Sequence, residues 1–362
     1  MAKRKLTARQ RDHIARIQQN RLARARQRCE QHTQALTASA LGAEQIGLII
    51  ANHGRTVVVE SEAGALHRCV TRQNLQRVVA GDRVAWQPGT HGNGVVNALG
   101  ERHGVLVRQD STGQLRPMAA NIDRMFIVIA PKPAFDEYLL DRYLVAAHGC
   151  DIHPLVVLHK TDLLNAKAHA AILNRLQPYA DLGYELILTS TRQSGNMQSL
   201  IDQAVNNTSI LVGQSGVGKS SLINHLAPEL RLPANALSER TDLGQHTTTA
   251  TTLYRFNSGN TPDSGQLIDS PGVRAFALWA MSQHVIEQGY LEFRPLIGQC
   301  KFKNCRHSDE PECALRDAVA NGRISATRMQ RFQRICADVA MHGHPGRSGN
   351  ITMAALTLRN AH

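Results

Sequence analysis

The stretch SILVGQSGVGKSSLINHL, residues 209–226, constrains this chain more than any other. Gly213, Gly218, Lys219 and Ser220 fit the spacing G-x-x-x-x-G-K-[ST], with an apolar run before them and an amphipathic stretch after. Such a loop works only if a β-strand delivers it and a helix N-terminus carries it onward, because its backbone N–H groups must wrap a phosphate chain at the positive end of a helix. The predicted cradle is Gly213, Gln214, Ser215, Gly216, Val217, Gly218, Lys219, Ser220 and Ser221. Lys219 is placed to reach the β- and γ-phosphates and Ser220 to put its hydroxyl on Mg²⁺.

The surroundings agree. Apolar runs RMFIVIA, PLVVLHK, YELILTST, TTLYRF and GQLIDSPG alternate with helical stretches from residue 120 onward, the texture of a mostly parallel sheet covered by helices. In LIDSPGVRAF, Asp269 ends a strand and Gly272 follows; an acid there holds Mg²⁺ through water, and the glycine offers its N–H to a γ-phosphate. Between the two motifs lies GQHTTTATTLY, where one hydroxyl of Thr247, Thr248 and Thr249 completes the Mg²⁺ shell; we assign Thr248, although the residues alone do not single it out.

HPLVVLHKTDLL, residues 153–164, reads as a buried strand that ends in a polar loop, where α/β folds place ligands. Asp162, two residues after Lys160, accepts from both the ring N–H and the exocyclic amine of guanine, and adenine lacks that donor pair. The predicted base pocket is His159, Lys160, Thr161 and Asp162, joined by Ser190 of LTSTRQSGNM, where Ser190 and Thr191 end the next strand and are expected to present a backbone N–H to the guanine carbonyl. His159 stands where such boxes usually carry Asn. A neutral imidazole offers one donor where the amide offers two, so a less organised pocket with intact guanine selection is expected.

CKFKNCRHSDEPEC supplies Cys300, Cys305, His307 and Cys313, a C-x₄-C-x-H-x₅-C set. Three thiolates and an imidazole close a tetrahedral Zn²⁺ shell with no position left for substrate, so the site is expected to be structural. Lys301, Lys303, Arg306, Arg323, Arg328, Arg331 and Arg334 surround it with positive charge, consistent with a nucleic-acid surface. At the other end, Lys3, Arg4, Lys5, Arg9, Arg11, Arg16, Arg21, Arg24, Arg26 and Arg28 face only Asp12 and Glu30, and the whole chain of 362 residues carries a formal charge of +12. A polyanionic partner follows. Residues 45 to about 110 hold short β-rich runs broken by Gly, Asn and Pro, the spacing of a small barrel. No run is long and apolar enough to cross a membrane, which makes a cytoplasmic protein without a membrane partner the expectation.

Base-reading segments precede the phosphate loop here, the reverse of the usual GTPase order. That order and the cysteine spacing together resemble the small-subunit-dependent ribosome biogenesis GTPase A family (RsgA, also called YjeQ), a circularly permuted GTPase, over about residues 45–340. The chain is thus expected to divide into a basic tail over 1–44, a barrel over 45–112 that the resemblance makes an oligonucleotide-binding fold (OB-fold), a circularly permuted α/β P-loop GTPase domain over 113–280 and a helical zinc-binding domain over 281–362. The resemblance also implies slow GTP hydrolysis with Mg²⁺, stimulated by the small ribosomal subunit and its rRNA, in late maturation of that subunit, by a protein expected to be monomeric. The family's Gly-x-His-Thr-Thr pattern makes His246 the water-positioning candidate beside Lys219 and Thr248. Val273 follows Gly272 where many GTPases place a Gln; it can neither donate nor accept, so unaided turnover should be slow. The rival reading is an RNA-binding assembly factor whose nucleotide site is passive.

Overall fold

The computed structural model describes residues 41–54, 56–73, 75–109, 114–193, 197–227, 251–257, 264–269 and 281–342. His246, Thr247, Thr248, Thr249, Gly272 and Val273, and the basic tail, lie outside them. The chain divides into two compact units, one running to Val78 with Arg83–Gly100, the other made of Val79–Asp82 and the chain from Glu101 onward.

The first unit is a closed five-stranded barrel. Its strands are β1 (Gln45–Asn52), β2 (Val57–Ser61), β3 (Leu66–Thr71), β4 (Arg83–Pro88) and β5 (Asn93–Leu99). They pair in the order β1-β2-β3-β5-β4, and β4 returns to β1, so no edge is left open. All pairs are antiparallel except β3 with β5. Alternation along β1 turns Ile49 and Ala51 inward, where they meet Val57, Val59, Val84, Val96 and the fully buried Trp86. The Trp86 ring is therefore barrel core and is not available to stack on a base.

The second unit opens with the hairpin β6 (Leu106–Gln109) and β7 (Leu115–Ala119). Its main sheet contains β8 (Arg124–Ile129), β9 (His153–Leu158), β10 (Leu186–Leu188), β11 (Thr208–Val212), β12 (Thr252–Asn257) and β13 (Ser264–Asp269), in the order β10-β9-β8-β11-β13-β12. Only β12 runs antiparallel. Near-continuous burial along β8 and β9 explains their unbroken Val/Ile/Leu runs: helices cover both faces. These helices include α1 (Glu137–Gly149), α2 (Ala166–Asp181), α3 (Gln198–Ala204) and α4 (Lys219–Leu226). The Asp136 carboxylate caps α1 by accepting from the Tyr138 N–H at 2.9 Å, and Asn165 caps α2 in the same way through Ala168. Because the strands are parallel and in register, Ile129, Leu158, Leu188, Val212 and Asp269 all end at one edge of the sheet.

Beyond the sheet come α5 (Gln283–Gln288), α6 (Ala314–Ala320) and α7 (Ala326–His342). Tyr290, Phe293 and Phe332 form their core, with Tyr290 stacked on Phe293 at 4.8 Å between ring centroids and Phe332 edge-on to both. Here the structure departs from the charge reading of α7. Arg328 and Arg331 turn inward to Asp141 of α1, a fully buried carboxylate that also accepts from the Tyr179 hydroxyl at 2.7 Å. The Arg328 guanidinium also donates to Glu292 and lies 5.1 Å and 4.6 Å from the ring centroids of Tyr179 and Tyr290. Arg334 sits over the Tyr138 ring at 4.1 Å. Arg328 and Arg331 fasten α7 to α1 and are not a free face for RNA, whereas Arg334 stays exposed. No helix among the described residues is long and apolar enough to cross a membrane.

Candidate nucleotide site and metal centre

The loop between β11 and α4 folds as the glycine spacing requires. Gly213 has φ +142°, and a Cβ there would lie 2.2 Å from the Val128 carbonyl oxygen; Gly218, at φ +102°, starts α4. Both positions exclude a side chain, the first because the loop passes against β8 and the second because the backbone is left-handed. The Lys219 ammonium donates to the carbonyls of Gly213 and Gln214 at 2.8 and 2.7 Å, which holds it over the loop it belongs to. Asp269, at the end of β13, is close enough to Lys219 to feel its charge: burial pushes the carboxyl pKa up and Lys219 pulls it down. Ser215, Ser220 and Ser221 complete the turn into the helix.

The predicted base segment stands beside this loop. Lys160 takes the left-handed conformation at φ +60° and sends its ammonium to the carbonyls of Gly216 and Lys132. Thr161 donates its N–H and hydroxyl to the Thr189 carbonyl, each at 3.2 Å, joining the loop after β9 to the loop after β10. The Ser190 hydroxyl donates to Asp162 at 2.7 Å, and that bond holds the Asp162 carboxyl below the usual carboxylate range. Sequence reasoning gave Ser190 a backbone contact with the base; the structure adds a side-chain duty, aiming the carboxylate. His159 is 2 % exposed, and its Nδ1 lies 3.0 Å from the Thr189 hydroxyl.

In the helical region, the ligating atoms of Cys300, Cys305, His307 and Cys313 all lie within 4.8 Å of one another. His307 Nδ1 is 3.3 Å from Cys313 Sγ and 3.6 Å from Cys300 Sγ, and the latter two sulfurs are 3.9 Å apart. A tetrahedral Zn²⁺ with sulfur bonds of about 2.3 Å and a nitrogen bond of about 2.0 Å needs edges of roughly 3.5–3.8 Å. The three edges among Cys300, His307 and Cys313 come near that, and the full set, within 4.8 Å, closes on such an ion by a small adjustment. His307, at φ +59°, turns its other nitrogen, Nε2, to Glu287 Oε1 at 3.1 Å. Burial raises the Glu287 carboxyl pKa, but hydrogen bonds from His307 and Gln283 outweigh it and hold the group below its ordinary value. A carboxylate behind a ligating imidazole fixes the ring's tautomer and raises its basicity. Sequence reasoning missed Glu287. It lies 20 positions before His307, and its only sequence signal is the Gln283/Glu287 pair spaced four apart on one helical face.

A model of the RsgA GTPase family matches residues 99–279, half of the chain, across both the base segment and the phosphate loop. The chain belongs to that family. It is 46 % identical over 343 residues to the small ribosomal subunit biogenesis GTPase RsgA of Azotobacter vinelandii, covering 94 % of this chain and 98 % of the relative. The RsgA of Hahella chejuensis is 45 % identical over 339 residues, covering 92 % and 96 %. Among solved structures, YjeQ from Thermotoga maritima superposes with a TM-score of 0.65 at 27 % identity, covering 82 % of this chain and 99 % of its own. YloQ, described as a circularly permuted GTPase, gives the same TM-score at 24 % identity, covering 84 % and 98 %. Membership in the RsgA family accounts for the strand order: the loops that carry Asp162 and Ser190 follow β9 and β10, which precede the phosphate-loop strand β11 in the chain and lie to one side of it in the sheet, beyond β8.

Proposed function

We propose that this chain is a Mg²⁺-dependent GTPase that hydrolyses GTP to GDP and phosphate, and that nucleotide state controls its docking on the small ribosomal subunit and its rRNA during late maturation. The observation that carries this reading is the junction of two segments 56 positions apart, where the Lys160 ammonium donates to the Gly216 carbonyl and brings the base-reading loop against the phosphate cradle. A nucleotide bound there has its base at Asp162 and its phosphates at Gly213–Ser221. The matching relatives are named for small-subunit biogenesis, which supports the choice of partner.

Asp162, aimed by Ser190, selects guanine, with Lys160 along the base and Thr161 fixing the loop. Lys219 neutralises the β- and γ-phosphates; Ser220 and Thr248 hold Mg²⁺, with Asp269 behind a bound water; Gly272 meets the γ-phosphate and His246 positions the attacking water. The four-residue thiolate and imidazole cluster holds one structural Zn²⁺. Residues 45–112 form the RNA-facing barrel, with the basic tail 1–44 before it, 113–280 the GTPase domain and 281–362 the metal module of a cytoplasmic monomer.

The test is steady-state phosphate release from GTP and from ATP, each with and without purified small subunits. Stimulation by roughly 10³-fold or more, confined to GTP, is expected when a partner orders the catalytic loops. Equal use of ATP, or no response to subunits, would instead favour a passive nucleotide site on an RNA-binding factor.

A further inference from the structure

His159 is too deeply buried to touch a base lying at Asp162, so its effect on nucleotide has to pass through its neighbours. There are two. On one side, Nδ1 lies 3.0 Å from the hydroxyl of Thr189, itself fully buried at the end of β10. On the other side the ring lies against Gly218: a Cβ at that glycine would be 2.5 Å from His159 Cδ2 and 2.9 Å from Nε2. Gly218 is the left-handed residue at which the phosphate loop becomes α4. The His159 backbone is anchored independently, its N–H donating to the Ile129 carbonyl at 2.8 Å. An imidazole fixed at its root and at Nδ1 thus presents its far edge to the hinge of the loop.

We propose that His159 is a positioning residue for the phosphate loop: a strut between Thr189 and Gly218 that sets where α4 begins, and therefore where Lys219 and Ser220 stand, without taking part in base selection. The proposal rests on the guanine-nucleotide reading of this site and assigns a role to the one residue of the base segment that departs from the usual Asn. The imidazole's reach is what distinguishes it. Its Cδ2–Nε2 edge fills the space where any side chain at position 218 would go, so ring and glycine are matched to each other.

The experiment is displacement of a fluorescent GDP analogue from the full chain with Mg²⁺, by GDP and by inosine diphosphate, which lacks only the exocyclic amine. The GDP-to-inosine ratio reports the Asp162 pocket; the absolute affinity reports the phosphate loop. His159→Ala is expected to weaken both nucleotides by roughly ten-fold with the ratio unchanged, the scale of one lost packing and hydrogen-bond contact. Thr189→Val, which removes the partner hydroxyl and keeps the shape, is expected to weaken both by about three-fold, and the double variant to be no worse than His159→Ala alone, as coupled groups require. His159→Asn should recover only part of the loss, because an amide at this position can meet Thr189 but is too short to fill the space beside Gly218. If His159→Ala does not fold, Thr189→Val and His159→Asn carry the test. A changed ratio, or unchanged affinity in His159→Ala and Thr189→Val, would overturn the strut. If the unmodified chain shows no preference for GDP over inosine diphosphate, the guanine reading itself falls and the strut with it.

Discussion

Replacing Asp141 with Asn tests the claim that the arginines of α7 hold the helical region to the GTPase sheet. The wild-type carboxylate is fully buried and accepts from Arg328, from Arg331 Nε at 2.6 Å and from the Tyr179 hydroxyl at 2.7 Å. Arg328 is itself 7 % exposed in its side chain and keeps only Glu292 as a second anion. An amide of the same shape turns a donor toward one guanidinium and leaves a buried cation short of charge, a loss of about 3–5 kcal/mol. For a unit of this size each kcal/mol moves the midpoint by roughly 2–4 °C, so scanning calorimetry of the full chain should show the transition of the larger unit falling by roughly 6–20 °C. Tyr179→Phe is the control. It removes one neutral donor, leaves both charges paired and should cost only about 1 kcal/mol. A midpoint shift in Asp141→Asn no larger than that of Tyr179→Phe would refute the reasoning, because it would mean that the cations find solvent or another partner at little cost.

Two further predictions follow from the same kind of accounting. Glu287→Gln keeps a hydrogen bond to His307 but removes the charge behind the imidazole, so competition with a chromogenic chelator should show metal affinity lowered by roughly 10- to 100-fold with one equivalent still bound at saturation; unchanged affinity would mean that Glu287 only fills space. Burial holds both His148 and His159 neutral, with pKa values pushed down to about 4 from about 6.5. Such groups bind protons more readily in the unfolded chain, so stability is full above about pH 6.5 and declines as pH falls toward 4, with His159 alone contributing up to about 3 kcal/mol. Urea midpoints for the wild type and His159→Asn between pH 7 and 4.5 should diverge on the acid side, with the variant the less sensitive; parallel curves would refute the assignment.

What could be read from the sequence was local. The phosphate loop announces itself because strand, glycines, Lys219 and Ser220 are contiguous, and the four metal donors fall between Cys300 and Cys313. The barrel and the parallel sheet were legible because burial on one face or both leaves a period in the apolar residues. The failures are contacts that join distant positions. Arg328 and Arg331 look like part of a charged helical face with the exposed Arg334, and nothing near them says which side meets water. The signal lay 187 positions earlier, in a single Asp set within the apolar run EYLLDRYLV of α1. A buried carboxylate demands a cation, but sequence alone does not say which of 41 Lys and Arg residues answers it. His159 is the same problem in reverse: its departure from Asn was plain, while its neighbour Gly218 became visible only in three dimensions.

Helix α1 joins these strands of argument. Its N-terminal half, with Phe135 and Asp136 before it, lines a small cavity against Gly213, Gln214 and Val217 of the phosphate loop. Its Asp141 holds α7 through Arg328 and Arg331, and it packs against α5 as well. Chain order supplies a second connection, since β13 ends at Asp269 and the helical region resumes at α5 after the segment 270–282. In an unpermuted GTPase the phosphate loop opens the domain; here it lies late, so the metal-bearing helices follow directly on the residues expected to respond to the γ-phosphate. The Asp141 pairing means that a movement of α1 carries α7 with it. Asp141→Asn therefore tests this route: if subunit-stimulated turnover is lost while unstimulated turnover remains, at a temperature where the variant is folded, coupling runs through α1, and if stimulation survives the weakened pairing, it does not.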